Sequence, residues 1–595
     1  MKWIGSILAL LAIFLPTYAL TQTFDTVILN GRVMDPESNL DAVRTVGIRD
    51  GKVVAISSKR LHGKTEIDAS ELVVAPGFID SNSHGFDQEN YRLIARDGVT
   101  TVLELELGPE DSDIDNWYGQ RKGKTPLNYG TSISHFVARM AAMEGPKVID
   151  VRGAAAHDPA TPAQLIEMEK TLDHGLSRGA LGIGFGLQYT PGATREEVVD
   201  MFRVAAKHGA PSCVHLRYGS VKEPDTTLNA LQEVIAASAI TGARLHIEHI
   251  GTSALSKGPE ILEMVAGAQA HGIDVTENAY PYGAASAGIE TVLFDPGWQE
   301  RLGIDYKDLE WVDTGQRLNQ QTFGEHRKTG GTLIIHLMPD EMIEQVIANR
   351  DVMIASDGDI EGGHGHPRLA GTFARVLGMY VREKQALTLM EALRKMTFLP
   401  AQMLESRVPE MKNKGRLKVG SDADITVFNP RTVIDKSTYE HPALASSGIP
   451  FVLVNGVFVV KEERFIEGVN PGQPIRAAHD AAQVDKDAQT KAAADLRVRV
   501  EASPKLPFRG VHFAAQTPAT GWKSGTVSWV AVDGNGNIYE PQRGDKADPV
   551  LVLDSESKVL RSWGEGDYKI PHSIRIDPDA PIPDLVPGPA ASNTR

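Results

Sequence analysis

A chain of 595 residues has room for about four domains of ordinary size, or fewer if one of them is an α/β barrel of about 250 residues. Its 77 acidic against 61 basic residues, a formal net charge of -16, argue against a nucleic-acid surface, because neutralising phosphates demands the opposite balance. With Cys213 as the only cysteine no intramolecular disulfide can form, so stability rests on a core and the expected partner is a small molecule.

In chain order, Lys2, the apolar run from Ile4 to Leu15, Pro16 and the Thr17-Tyr18-Ala19 end predict an export signal over residues 1–19. The run is too short to span a bilayer comfortably, and no cysteine near the cleavage site offers lipid attachment. The mature protein is therefore expected to start near Leu20 and to work in a periplasm or outside the cell, with no membrane association beyond the signal. Residues 20–75 read as β-rich, in "FDTVILNGRVMD", "TVGIRDGKVVAIS" and "TEIDASELVVAPGFID", separated by Asn-Gly and Asp-Gly turns. From Pro76 the rhythm becomes strand then helix: "GFIDSNSHG", "GVTTVLELELG", "NYGTSISHFVA", "ALGIGFGL", "APSCVHLRYGS", "ARLHIEHIGTS", "GIDVTENAYPY" and "DVMIASDGD". Eight such units over 76–405 predict a (β/α)8 TIM-like barrel with its site at the C-terminal strand ends. "GTLIIHLM" at 331–338 reads as part of an insertion between the last two units. Strand signals return at 406–470 in "GRLKVGSDADITVFNP" and "GIPFVLVNGVFVV", so both flanks are expected to build one small β-sandwich domain. Residues 471–505 read as a polar linker, and 506–595 as a β segment with a disordered end.

Chemistry-bearing residues collect at the strand ends. Alternation along a strand points Asp80, Asn82 and His84 one way, likewise Glu104 and Glu106, and Cys213, His215 and Arg217. Two inward glutamates are costly to bury unpaired, and a divalent cation would compensate them. Strand arithmetic alone equally allows them to face the helices or to meet arginines.

These segments together resemble the amidohydrolase superfamily, and within it the N-acyl-D-amino-acid deacylase branch. "PGFIDSNSHG", "GVTTVLELELG", "GALGIGFGLQYTPGATREEV", "SDGDIEGGHGHPRLAGTFARVLGMYVRE", "EALRKMTFLPAQML" and "GSDADITVFNP" carry the resemblance in order, over about three quarters of the chain. It implies metal-assisted hydrolysis of a linear amide, such as an N-acylated amino acid, with His84, His215, His249 and Asp357 at metal or catalytic positions and Asp357 as the base. A zinc ion on Glu106, His215 and His249 is implied, with a second ion an open question. The chain departs from the branch at three points. Asn82 replaces the first histidine, leaving a weak amide ligand. The branch's cysteine ligand aligns with Leu107, so the neighbouring Glu106 is expected to serve. A substrate-binding lysine is replaced by Gly251, leaving Tyr189 and Arg368 to recognise a polar or anionic end; Arg217 could join them, but a structural ion pair is the role expected of it first. Two rivals stand beside this reading: a cyclic-amide hydrolase of dihydroorotase or hydantoinase type, and a homologue that binds ligand without turnover. The stretch "GTVSWVAVDGNGNIYEPQRGDKADPVLVLDSESKVLRSWGEGDYKIPHSIRIDPDA" resembles the opening of an NHL-type β-propeller, too short to close alone.

Overall fold

A computed structural model describes residues 23–145, 151–220, 222–255, 257–479, 530–532, 536–541, 550–554 and 558–563. The expected export signal lies outside these residues, as does most of the region expected to be linker and propeller-like. The chain divides into two compact units, 1–489 and 490–595. Among the described residues, no helix is long and apolar enough to cross a membrane.

In the first unit the two flanks share one hydrogen-bonded sheet of nine strands. Val73–Pro76 pairs antiparallel with Ile425–Phe428, and Val33 with Val74 in parallel, so the beginning and the end of the unit are stitched together. Ile28, Val46, Val53, Ile425 and Leu453 fill the core of this sheet. Of the two turn signals, Asp50-Gly51 makes the expected hairpin between Leu40–Arg49 and Lys52–Ser57. Asn30-Gly31 does not turn the chain; it lies at a bulge inside the single strand Phe24–Asp35. A Cβ on Gly31 would meet Val74 Cγ2 at 2.3 Å, so close strand approach explains this glycine.

The sheet runs directly into eight parallel strands: β1 (Phe78–Asp80), β2 (Val99–Glu104), β3 (Asn128–Thr131, continued by Ile133–Ser134), β4 (Ile183–Gly186), β5 (Pro211–His215), β6 (Arg244–Ile247), β7 (Val275–Ala279) and β8 (Val352–Ile354). Each pairs in parallel with the next, β3 reaching β2 through its first half and β4 through its second. Beyond β8 the backbone returns to the end of β1: Asp357 N–H donates to Asn82 O at 2.7 Å and His84 N–H to Gly358 O at 3.0 Å. The intervening helices start where the sequence provides oxygen caps, at Asp87, Asp113, Thr161, Thr194 and Thr226.

Between β7 and β8 lies the insertion. Ala284–Gly288, Leu309–Trp311, Gln316–Arg317 and Thr332–His336 form an antiparallel sheet over its own core of Phe294, Trp298, Trp311 and Leu333.

The boundary expected at residue 471 is corrected. Residues 472–477 form a strap on the first unit: Gly472 N–H donates to Thr125 O, Ile475 N–H to Tyr129 O and Ala477 N–H to Gly179 O, while Tyr118 Oη donates to Ile475 O at 2.6 Å. Composition hid this because backbone groups make most of these bonds. In the second unit, Ala531–Val532, Ile538–Pro541, Val550–Leu553 and Val559–Trp563 pair antiparallel in chain order.

Candidate metal centre

The C-terminal ends of the parallel strands open into a cavity of about 480 Å³. Glu106, two residues beyond β2 and 2% exposed, stands at its floor. His215 Nδ1 lies 2.8 Å from Glu106 Oε1, His249 Nε2 lies 3.2 Å from Oε2, and the two ring nitrogens are 3.0 Å apart. These three side chains form one group able to hold a cation, and His84, Glu106 and Asp357 form a second, so Glu106 belongs to both. Two imidazoles and a carboxylate converging in this way suit zinc in donor type.

The surrounding bonds decide which ring nitrogen is free. His215 Nε2 lies 2.6 Å from Gln188 Oε1. A carboxamide oxygen only accepts, so Nε2 carries a proton, and Nδ1 is the nitrogen turned to Glu106 and His249, where a cation would bind. His84 sits between two carboxylates, with Nδ1 2.6 Å from Glu104 Oε2 and Nε2 3.0 Å from Asp357 Oδ1. Arg368 Nη1 lies 2.8 Å from Asp357 Oδ2, and its guanidinium stacks over Tyr280 at 4.5 Å.

Two of these residues sit on unusual backbone. His249 has φ 31° and Asp357 φ 52°, left-handed values that are uncommon for residues other than glycine. Each lies a few residues past a strand end, where the turn re-aims its side chain independently of strand alternation. Such backbone is found where surrounding structure holds it in place, and it often accompanies function.

Electrostatics follow from burial among opposite charges. Burial pulls the Glu106 carboxyl upward, but His249 and His215 outweigh it and hold it well below the usual range. Burial likewise raises Asp357, and Arg368 and His249 more than reverse it, keeping the carboxylate ionised. His84 is lowered by burial yet ends well above the ordinary value, because Glu104 and Asp357 favour its charged form. Burial and His249 lower His215.

Of the residues singled out in the sequence, His84, Glu106, His215, His249, Asp357, Tyr189 and Arg368 all line the one cavity. Two more residues are held by neighbours. Asn82 Nδ2 donates to Glu106 Oε2 at 2.8 Å, the orientation a carboxylate neighbour enforces, and its Oδ1 is buried with no hydrogen-bond partner among the described residues. Arg217 makes the structural ion pair expected of it: its Nε and Nη2 meet Glu233 at 2.9 and 2.6 Å and Nη1 reaches the Pro191 carbonyl. Leu107 lines the wall beside Glu106. His246 and Glu248 are buried and bonded to Thr276 and Asn278; burial pushes His246 down to about 3 and Glu248 well up. The sequence reading missed Gln188, although it directly precedes Tyr189 in "LQYTPG". It also missed Tyr280, which a position just past β7 could have flagged.

Asn82→His is expected to raise metal content by up to about one ion per chain, since an imidazole there adds a nitrogen donor beside Glu106 and His84. Metal analysis after dialysis against a weak chelator checks this. If the unaltered protein already retains two ions, the second group needs no further ligand.

The sequence profile of the amidohydrolase family matches residues 138–460. The chain is 31% identical over 484 residues to the N-acyl-D-glutamate deacylase of Alcaligenes xylosoxydans xylosoxydans, covering 74% of this chain and 94% of that protein. It is 30% identical to the D-aminoacylase of the same organism, over 75% of this chain and 96% of that one. Among solved structures, N-acyl-D-glutamate deacylase from Bordetella bronchiseptica, complexed with zinc and a phosphonate inhibitor, superposes with a TM-score of 0.66 at 26% identity, covering 77% of this chain and all of that one.

Proposed function

Because the chain belongs to the amidohydrolase family, and its deacylase relatives are hydrolases of carbon–nitrogen bonds other than peptide bonds, we propose that it cleaves the linear amide of an N-acylated amino acid in a zinc-dependent reaction on a (β/α)8 barrel. The observation that carries this reading is Glu106, a buried carboxylate shared by two cation-holding groups and faced by His215 and His249.

Glu106, His215 and His249 would hold the first ion, and His84, Glu106 and Asp357 a second. When bound, zinc supplies a Lewis acid that polarises the scissile carbonyl and makes water a stronger acid. The chain's own residues do the rest. Asp357, kept ionised by Arg368, takes the proton of the attacking water and delivers it to the leaving nitrogen. Tyr189 and Tyr280 keep their phenolic protons, because burial raises both well above the ordinary value, and they offer donors at the wall. Ala285, Leu293, Leu302, Val312 and Ile335 of the insertion give the far wall an apolar stretch beside the polar Ser286, Asp313 and Thr332, and Arg368 is the one Lys or Arg among the described lining residues. A substrate with one polar end and an apolar acyl or side-chain group fits this wall.

The opening residues support export, to a periplasm or the medium. The purified mature enzyme, expected to begin near Leu20, would be analysed for zinc and assayed against N-acyl amino acids with apolar and acidic side chains. The expected result is bound zinc and release of amino acid from the apolar series. Hydrolysis of hydantoins or dihydroorotate alone would replace the linear amide by a cyclic one, and ligand binding with no turnover would withdraw the reaction.

A further inference from the structure

We infer that Glu104 is a positioning residue: it fixes the His84 imidazole for cation binding and thereby sets how strongly the group of His84, Glu106 and Asp357 fills. The inference rests on the zinc-dependent reading above and extends it to a residue outside both cation-holding groups.

Glu104 ends β2 with a side chain only 9% exposed. No Lys or Arg among the described residues pairs with it; its one ion-pair partner there is His84. Its two oxygens are engaged separately. Oε1 accepts the backbone N–H groups of Glu106 at 3.1 Å and Leu107 at 2.9 Å, the turn that brings Glu106 over the cavity floor. Oε2 takes His84 Nδ1 at 2.6 Å. With Nδ1 engaged, Nε2 is the nitrogen that faces Asp357, 3.0 Å from Oδ1, and Glu106, 4.0 Å from Oε2. When a cation takes the place of the proton on the inner nitrogen, a carboxylate on the outer nitrogen of a histidine fixes the ring orientation and makes the inner nitrogen a stronger donor.

The two histidine environments differ in a way that gives this arrangement a purpose. His215, in the group with two nitrogen donors, leans on the neutral Gln188. His84, in the group where Asn82 donates to Glu106 instead of offering a ring nitrogen, leans on an anion. The stronger outer partner therefore stands behind the group with the poorer ligand set.

The test compares the unaltered chain with Glu104→Gln and Glu104→Asp, each stripped of metal and titrated with zinc by calorimetry, with melting temperature as the check on folding. Two uptake steps are expected for the unaltered protein. In Glu104→Gln the weaker step should lose about 10- to 100-fold in affinity, the usual effect of removing such a partner, with the tighter step and the melting temperature nearly unchanged. Glu104→Asp keeps the charge but draws it back by one methylene, and should fall between the two. The inference is overturned if the weaker step is unmoved in both variants or if both steps weaken equally, which would make Glu104 a shaper of the β2 end. It is also overturned if the unaltered protein takes up one ion and no second at millimolar zinc. Complete absence of zinc uptake by the unaltered chain would instead overturn the zinc-dependent reading itself.

Discussion

Glu106→Gln is expected to empty both cation groups at once. The glutamine has nearly the same shape, but a neutral amide replaces the charge that His215 and His249 face at 2.8 and 3.2 Å, and zinc is held by anionic or imidazole donors far better than by an amide. Zinc content after dialysis should fall below about half an ion per chain. Turnover should fall by about 10³ or more, since losing the Lewis acid removes several kcal/mol of transition-state stabilisation and each 1.4 kcal/mol is tenfold. The contrast with Glu104→Gln is what makes the result informative, because that variant should retain the tighter ion. Equal zinc loss in both variants, or in neither, would mean that Glu106 is not the shared ligand and that the alignment of the branch's cysteine with Leu107 needs another explanation.

Asp357→Asn should lower turnover by about 10² or more with zinc bound, the scale of general-base loss. The structure adds a second consequence. Arg368 is 4% exposed and pairs with Asp357 at 2.8 Å, so the asparagine leaves a buried cation facing a neutral amide, at a cost of up to about 3 kcal/mol. The melting temperature should therefore drop as well. Adding Arg368→Met should recover stability but not turnover. If turnover returns with stability, Asp357 acts through Arg368 and is not the base.

The rhythm of eight apolar strands was legible because the parallel strands are buried on both faces and read as apolar runs between turn residues. The insertion showed itself only as one strand too many, Thr332–His336. Within the site, alternation put Glu104 and Glu106 on one face of their strand and Cys213 and His215 on one face of theirs, and the family resemblance then singled out Glu106 and His215. His249 could not be placed by alternation. β6 stops at Ile247, and the left-handed turn at His249 breaks the alternation that would have favoured His246 and Glu248. The partner of Arg217 was hidden for a different reason: Glu233 lies on the following helix, Thr227–Thr241, and only the packing of that helix brings the carboxylate back to the strand. Asn82 was legible as a departure but not as a donor, because the sequence gives no bond direction for an amide.

The antiparallel pairing of Val73–Pro76 with Ile425–Phe428 also fixes when this enzyme can first exist. Roughly 350 residues separate the two strands, and at about 5–20 residues per second a ribosome needs about 20 to 70 s to make them. During that interval the opening strands have an unpaired edge and half a core, a state prone to pairing with other chains. Pulse-labelled nascent chains should therefore stay protease-sensitive at the opening segment until the strands from Ile425 onward have left the ribosome.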